Sequence, residues 1–207
     1  MGPRTMMYND PPMEVSKPLG RALTLPIVVE QIVPSRVCFT CDVCCRFPER
    51  DSPLRPYFTR EEIQAAIARG IRPDAFPDHA GSNVSVVPHG TGYRCPAFQA
   101  ETGKCGIYED RPLDCRLYPV AVMWDRDRAE AVMGWDSKCP FIRDNLESAE
   151  SRAYVERTAA LLESEDTVRI FLANQPLIGA YQDDVIVLRR LNRLTQGLRA
   201  ASRSPAR

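Results

Sequence analysis

Residues 38–46 read Cys-Phe-Thr-Cys-Asp-Val-Cys-Cys-Arg and place four of the chain's eight cysteines within eight positions. The remaining cysteines are Cys95, Cys105, Cys115 and Cys139, so all eight fall between residues 38 and 139. Thiols at this density indicate either metal ligation or disulfide bonding. The rest of the chain distinguishes the two chemistries.

The composition and the N-terminal sequence favour a metal over disulfides. The chain has 207 residues, of which 44% are hydrophobic and 26% charged, as in ordinary soluble domains. Residues 21–33, the best candidate for a signal peptide, are interrupted by proline and polar residues, and no run of about 18 apolar residues could span a membrane. We therefore expect a cytoplasmic protein, and disulfides are rare in the cytoplasm. Basic and acidic residues number 27 each, which gives no reason to expect a nucleic acid or a membrane as partner.

The spacing of the first three cysteines suits a metal centre. Two cysteines separated by two residues bring both sulfurs to one side of a tight turn, and Cys38, Cys41 and Cys44 do so twice in succession. The same spacing holds the first three ligands of a ferredoxin-type 4Fe–4S cluster, whose last ligand precedes a proline. Here Cys95 and Cys139 each precede a proline and could close the site. A four-cysteine zinc site is equally available.

Cys44 and Cys45 are adjacent, which raises the question of one centre or two. In an extended backbone their side chains would point to opposite faces, so two ideal bonds to one tetrahedral ion would strain the chain. Three arrangements avoid this strain. The pair divides its sulfurs between two sites of four cysteines each, one of the two is not a ligand, or both belong to a polynuclear centre.

Basic residues and histidines near the cysteines are candidates for supporting roles. Four thiolates around Zn²⁺ or a 4Fe–4S core leave about two net negative charges, which arginines can offset by hydrogen bonds to sulfur. The arginines within a few residues of a cysteine are Arg46, Arg94, Arg111 and Arg116. Solvated surface arginines are the alternative interpretation. His79 and His89 could complete a zinc site, but both lie in loops with Pro or Gly, where we expect exposed histidines.

Local patterns predict an α+β fold. Thr59 and Glu62 form a capping-box pattern that opens a helix. Short strands and tight turns are predicted over residues 83–108, one helical turn presenting Cys115 after Pro112, and a hairpin over residues 120–136 with a tryptophan on each arm. Helical spacing begins at about residue 144, and the last helices are predicted over residues 166–173 and 185–198.

These elements suggest a division of the chain into three parts. We expect a flexible N-terminal arm over residues 1–36 and a small, irregular cysteine-cluster metal-binding domain with short β-hairpins over residues 37–143. Residues 144–207 are expected to form a helical C-terminal part with a basic tail, which carries six arginines and no acid after residue 184.

Several blocks of sequence occur together around the cysteines. The pattern CxxCxxCC at residues 38–45 is followed by arginine, Cys-Pro-Ala-Phe begins at residue 95, Cys-Gly-Ile-Tyr-Glu-Asp-Arg-Pro covers residues 105–112, and Cys-Arg-Leu-Tyr-Pro covers residues 115–119. Over residues 38–139 the chain resembles the YkgJ-like cysteine-cluster family, the CxxCxxCC domain proposed to chelate zinc or iron. The resemblance implies metal binding, with zinc or an iron–sulfur cluster as occupant, and no defined reaction. A bacterial flagellin lysine methylase resembles this family through its own cysteine cluster, which gives one enzymatic precedent.

The sequence therefore predicts a metal-binding protein that holds an iron–sulfur cluster or zinc. The candidate ligands are Cys38, Cys41, Cys44, Cys45, Cys95, Cys105, Cys115 and Cys139. Three roles stay open: a structural zinc in an interaction module, an iron–sulfur-dependent enzyme resembling the methylase, or a protein that stores or delivers metal. The sequence contains no Gly-rich phosphate loop and no Ser-His-Asp set, so it identifies no reaction, substrate or partner protein.

Overall fold

The computed structural model describes residues 27–203 of the chain. Within that range the fold is α+β, as predicted, with short helices and several small antiparallel sheets. The helices are α1 (Ser35–Cys38), α2 (Arg60–Ala68), α3 (Leu113–Leu117), α4 (Pro140–Asn145), α5 (Ala149–Leu162), α6 (Glu165–Ala173) and α7 (Asn192–Arg203). The strands are β1 (Arg46–Phe47), β2 (Tyr57–Thr59), β3 (Gly81–Asn83), β4 (Val87–His89), β5 (Gly92–Arg94), β6 (Phe98–Gln99), β7 (Lys104–Cys105), β8 (Val120–Trp124), β9 (Ala131–Asp136) and β10 (Val185–Arg190). None of the helices in the described part of the chain has both the length and the apolar character needed to cross a bilayer.

The strand that follows the CxxCxxCC stretch fixes that stretch to the middle of the chain. Strand β1 pairs antiparallel with β5, so that Arg46 lies opposite Arg94, and β4 completes this sheet in the order β1-β5-β4. Gly92 lies so close to β1 that a Cβ atom there would stand 2.7 Å from the Phe47 carbonyl oxygen, which leaves no room for a side chain. This pairing aligns the residue before β1, Cys45, with the residue after β5, Cys95.

The predicted hairpin is confirmed and forms the main sheet of the C-terminal half. Strands β8 and β9 pair antiparallel, with Val120 opposite Trp135 and Trp124 opposite Ala131. The Trp135 side chain is buried and its ring stacks on that of Tyr154 in α5, with the centroids 5.8 Å apart. Trp135 therefore packs the hairpin against the helices, as expected for a core residue.

The predicted capping box at the start of α2 is confirmed. The Glu62 N–H donates to the Thr59 hydroxyl oxygen at 3.4 Å, and the Thr59 N–H donates to the Glu62 carboxylate at 2.9 Å. The other carboxylate oxygen of Glu62 accepts from the Leu113 N–H at 2.7 Å. Because Leu113 begins α3, the cap also anchors the helix that carries Cys115.

We expect Thr59→Ala to lower the free energy of unfolding by about 1 kcal/mol, because α2 loses a side-chain N-cap. Urea unfolding of the metal-loaded protein, followed by far-UV circular dichroism, measures the change. Thr59→Ser keeps the hydroxyl and should stay near wild type. Thr91→Ala, at an exposed turn, is the matched control. Equal midpoints for Thr59→Ala and Thr91→Ala would contradict the role of the cap.

Most of the buried hydrophobic side chains of the described residues form two cores, with a third, smaller cluster beside the β8–β10 sheet. The larger core joins α3, the β8–β9 hairpin and α4–α7, reaches from Ile32 to Leu198, and includes Cys139 with Cys38 packed against it. The smaller core lies among α2 and β1–β7 and includes Cys95, with Cys45 and Cys105 packed against it. The cysteines therefore lie where the two cores meet. The larger core draws on residues before and after 143, and the domain boundary suggested there stays a prediction.

The segment just before the cysteines is held by specific contacts. Residues 1–26 of the predicted arm lie outside the described residues, as do residues 204–207 of the basic tail. Residues 27–33 run without a strand, and Ile27 and Val29 pack against the larger core. The Tyr154 hydroxyl donates to the Glu30 carbonyl at 2.9 Å, and Arg157 forms two hydrogen bonds with the Glu30 carboxylate. These contacts place the start of α1 against α5.

The prediction of a single helix over residues 185–198 is wrong. Residues 185–190 form β10, which pairs antiparallel with β9 and gives the sheet order β10-β9-β8, and α7 follows. The leucines at 188, 191, 194 and 198 recur at helical spacing, which favoured a continuous helix. The β-branched run at 185–187 and the open edge of the hairpin outweigh that spacing, because strand pairing supplies hydrogen bonds and burial that local propensity does not include.

Candidate metal centre

The CxxCxxCC stretch folds into two tight turns. Helix α1 ends at Cys38, whose carbonyl accepts from the Cys41 N–H at 3.2 Å. A 3₁₀ turn over Val43–Cys45 carries the double cysteine, and the Asp42 carbonyl accepts from the Cys45 N–H at 2.9 Å. The prediction of an extended backbone at Cys44 and Cys45 is therefore wrong. In a 3₁₀ turn successive side chains point about 120° apart, so the two thiols diverge without facing opposite ways.

The two adjacent sulfurs are close to each other. Cys44 Sγ lies 4.0 Å from Cys45 Sγ. Two sulfurs bound to one tetrahedral zinc at about 2.3 Å would lie about 3.8 Å apart. The distance alone therefore fits one shared ion as well as two neighbouring centres, and the surroundings of the two thiols have to separate these possibilities.

Four of the cysteines line a single cleft of about 430 Å³, which Tyr118 and Phe141 also border. These cleft cysteines are Cys38, Cys41, Cys44 and Cys139. Burial, together with the charges of Cys44, Cys139 and Cys41, raises the pKa of Cys38 to about 11. Burial also raises the pKa of Cys139, with smaller contributions from Cys41 and Cys44. The cleft cysteines are thus near enough for their charges to act on one another.

The other four cysteines do not border this cleft, and three of them, Cys45, Cys95 and Cys105, belong to or pack against the smaller core. These inner cysteines are Cys45, Cys95, Cys105 and Cys115. The Cys95 N–H donates to the Cys45 carbonyl at 2.9 Å, next to the pairing of β1 and β5. Burial raises the pKa of Cys95 to about 12, and the charge of Cys105 adds to it. The pKa of Cys115 is raised well above its ordinary value by burial, then by the charges of Asp114, Cys95, Cys44 and Cys105.

Cys44 connects the two sets. It is the exposed one of the eight as a residue, yet its pKa is raised well above the ordinary value. The main cause is a hydrogen bond between the Cys44 and Cys45 thiols, followed by loss of solvation around the sulfur. The charge of Cys44 contributes to the raised pKa of both Cys38 and Cys95. Cys44 therefore lies between the cleft and the smaller core.

Nearby backbone amides lower the pKa of three of the thiols. The amides of Ala97 and Phe98 lower the pKa of Cys95 against the effect of burial. The Ile107 N–H does the same for Cys105. The N–H groups of Phe141 and Ile142 do so for Cys139. Amides two or three residues after a cysteine stabilise its thiolate form, which is the form that binds metal.

One arginine acts on thiols of both sets. The positive charge of Arg111 lowers the pKa of Cys38, Cys44 and Cys105. Its guanidinium stacks on the Tyr108 ring at 3.6 Å from the centroid, and it donates to the Tyr108 carbonyl at 2.8 Å and to the Gln31 side chain at 3.0 Å. These contacts hold the charge of Arg111 in place beside the cysteines.

The other candidate arginines have different partners. Arg46 forms an exposed ion pair with Asp42. Arg116 donates to the Ile27 carbonyl at 2.7 Å and lies 3.6 Å from the Glu62 carboxylate. Arg94 donates to the Phe98 carbonyl. Of the four arginines near cysteines in sequence, Arg111 is the one whose charge contributes to the pKa shifts of the cysteines.

Two tyrosine hydroxyls beside the cysteines have no hydrogen-bond partner among the described residues. Tyr108 Oη and Tyr118 Oη are both buried without a partner. Tyr118 borders the cleft, and burial and then the charges of Asp136, Cys139, Cys44 and Cys41 raise its pKa. A buried hydroxyl without a partner is costly, and a thiolate sulfur next to it would accept its hydrogen bond. This orphaned donor fits a cleft that carries thiolates bound to metal. Tyr118 was not among the predicted site residues, although it lies in the Cys-Arg-Leu-Tyr-Pro block at residues 115–119.

The predicted alternative ligands lie elsewhere. His79 is exposed, and its ring nitrogen lies 3.1 Å from the Pro73 carbonyl. His89 ends strand β4 opposite Gly92. Neither histidine lines the cleft.

The eight thiols are gathered but do not form a finished coordination shell. All eight are free, without disulfides. Within residues 27–203, no three side chains among the Cys, His, Asp and Glu residues converge on a point that could hold one ion. Because most of these thiols have raised pKa values, a metal that they bound would have to displace protons.

A comparison with protein-family models matches residues 37–177 to the CxxCxxCC family, described as "Putative zinc- or iron-chelating domain". The chain belongs to the CxxCxxCC family. The match confirms the resemblance seen in the sequence and extends it through the β8–β9 hairpin and α4–α6 to residue 177. The family description supports a metal-binding chain with zinc or iron as the metal. Searches of curated proteins and of solved structures returned no match.

Proposed function

We propose that this member of the CxxCxxCC family holds zinc or an iron–sulfur cluster through thiolates of its eight cysteines. The observation behind the proposal is the lining of one cleft by Cys38, Cys41, Cys44 and Cys139, in a chain whose family is described as zinc- or iron-chelating. Nearby backbone amides lower the pKa of Cys95, Cys105 and Cys139 and so favour the thiolate form that binds metal. The buried Tyr118 hydroxyl at the cleft, which has no partner among residues 27–203, supports the same conclusion.

The bound group and the chain would have separate tasks. A zinc ion would supply a fixed cation that ties four segments together, and an iron–sulfur cluster would supply electron transfer or a reactive iron. The chain would supply thiolates and the positive charge of Arg111, which lowers the pKa of Cys38, Cys44 and Cys105. Free thiols persist in reducing compartments, which supports a cytoplasmic location as part of the proposal.

Elemental analysis of protein purified without oxygen tests the proposal. We expect metal at a fixed ratio to protein. A brown protein with iron and acid-labile sulfide would identify a cluster, and a colourless protein with zinc would identify zinc. His79→Ala and His89→Ala should keep the full metal content, because neither histidine lines the cleft. Folded wild-type protein without bound zinc or iron would overturn the proposal.

A second candidate function is that of an iron–sulfur-dependent enzyme. The observation in its favour is the cleft of about 430 Å³ beside Cys38, Cys41, Cys44 and Cys139, which has room for a small molecule next to the thiols. Iron and acid-labile sulfide in the purified protein would support this candidate function, and zinc as its one bound metal would exclude it.

A further inference from the structure

We propose that the eight cysteines form two separate metal centres of different accessibility. The cleft cysteines would hold an open centre whose metal exchanges with solution, and the inner cysteines would hold a closed, structural centre. This inference rests on the proposed function, since both centres require bound metal. It assigns Cys44 to the cleft centre and Cys45 to the inner centre.

The division of the cysteines around the cleft is the first reason to expect two centres. Cys38, Cys41, Cys44 and Cys139 all border it, whereas none of the inner cysteines does. The cleft is bordered by loop and turn residues such as Thr40 and Val43, both of which are exposed. Four thiols around one open space are the number that a tetrahedral zinc or a 4Fe–4S cluster requires.

The second reason is that cysteines of the two sets pack with different hydrophobic cores. Cys45, Cys95 and Cys105 pack with the smaller core, whereas Cys38 and Cys139 pack with the larger one. Metal bound by the inner cysteines would therefore join β1, β5 and β7 of the smaller core to α3 of the larger core. A centre held between packed elements in this way exchanges slowly, because its ligands cannot leave without local unfolding.

The turn at the double cysteine gives the third reason to expect two centres. Cys44 borders the cleft, and its sulfur lies 4.0 Å from that of Cys45. Its neighbour Cys45 turns about 120° away in the 3₁₀ turn and joins the smaller core.

Metal content and metal release together test the partition. Wild-type protein loaded with metal is mixed with an excess of a coloured chelator, and the release of metal is followed over time. We expect two phases, a fast one from the cleft centre and a slow one from the inner centre. The variant Cys38→Ser/Cys139→Ser should keep about half of the metal and lose the fast phase. Cys44→Ser should behave in the same way.

A control and a second variant keep the test independent of folding defects. Thr91→Ala changes an exposed turn residue that does not border the cleft, and it should keep both phases. Cys45→Ser should lose the slow phase. If that variant unfolds, the cleft variants still decide the question, because their smaller core is unchanged.

The outcomes separate the partition from the proposed function. A single release phase in wild type, or complete loss of metal from folded Cys38→Ser/Cys139→Ser, would show one shared centre and overturn the partition alone. Wild-type protein that binds no metal at all would overturn the proposed function. Half the metal with only the slow phase in the cleft variants supports two centres.

Discussion

Removing the metal from the purified protein is expected to unfold the smaller core and to leave the larger core folded. The smaller core contains twelve buried hydrophobic residues against twenty in the larger one. Its strands β1–β7 have only two or three residues each. Two-stranded pieces of this length are not stable alone in water, so the links between them must come from elsewhere. Structural zinc supplies about 10–16 kcal/mol of folding free energy in small zinc-bound domains, which is enough to decide the state of this core.

Hydrogen exchange measured by mass spectrometry can follow the two cores separately. In the stripped protein, peptides that contain the amides of Cys95 and Gly106 should lose protection, since these amides bond to the Cys45 and Ala97 carbonyls within the smaller core. Peptides from β9 should keep protection, because Met133 is fully buried in the larger core and β9 lies between two strands. Adding metal back should restore the protection. Unchanged protection throughout the stripped protein would contradict a folding role for the metal.

The local elements could be predicted because their signals lie within a few residues. The capping box at Thr59 and Glu62 needs only two side chains and one turn of helix. The β8–β9 hairpin follows from two strand-like runs around a polar turn. Strand β10 could not be predicted in this way, because it exists only where β9 offers an unpaired edge about fifty residues earlier in the chain.

The candidate ligands could be found in the sequence, whereas their grouping could not. Cys139 lies 24 residues after Cys115 in sequence, outside the dense block of cysteines. The hairpin brings it back, since the Asp136 N–H donates to the Pro119 carbonyl at 2.9 Å and so returns the chain to Tyr118 at the cleft. The Cys-Pro pattern offered Cys95 and Cys139 alike as the residue that closes the site, and only the fold of the hairpin places Cys139 beside Cys38 at the cleft.

The distance of an arginine from a cysteine along the sequence also did not predict which arginine acts on the thiols. Arg46 directly follows the double cysteine, yet it pairs with Asp42 at the surface. Arg111 lies four residues before Cys115, and its charge lowers the pKa of thiols in both sets. Stacking on Tyr108 and the hydrogen bond to Gln31 fix its position, and the second of these contacts spans 80 residues of sequence.

Arg111→Ala is accordingly expected to weaken metal binding by about 10- to 100-fold, the usual effect of losing a residue that supports metal ligands. Four thiolates around one zinc or cluster leave about two net negative charges, and Arg111 is the cation that opposes them in both sets of cysteines. Its loss would raise the pKa of Cys38, Cys44 and Cys105, so protons would compete better with metal. The pH at which half of the metal is released should therefore rise in the variant. The difference in bound metal between variant and wild type should be largest between their two half-release pH values.

Competition with a chelator of known affinity, repeated over a range of pH, measures both effects. Arg46→Ala is the matched control, because it removes an arginine that is nearer to the double cysteine in sequence but exposed and paired with Asp42. Arg111→Lys keeps the charge while losing the planar stacking on Tyr108, so its affinity should lie between those of Arg111→Ala and wild type. If Arg46→Ala weakened metal binding as much as Arg111→Ala, the position of Arg111 in the fold would not explain its effect. If instead Arg111→Ala alone shifts the release to higher pH, the charge of Arg111 is what keeps the buried thiols available to metal at neutral pH.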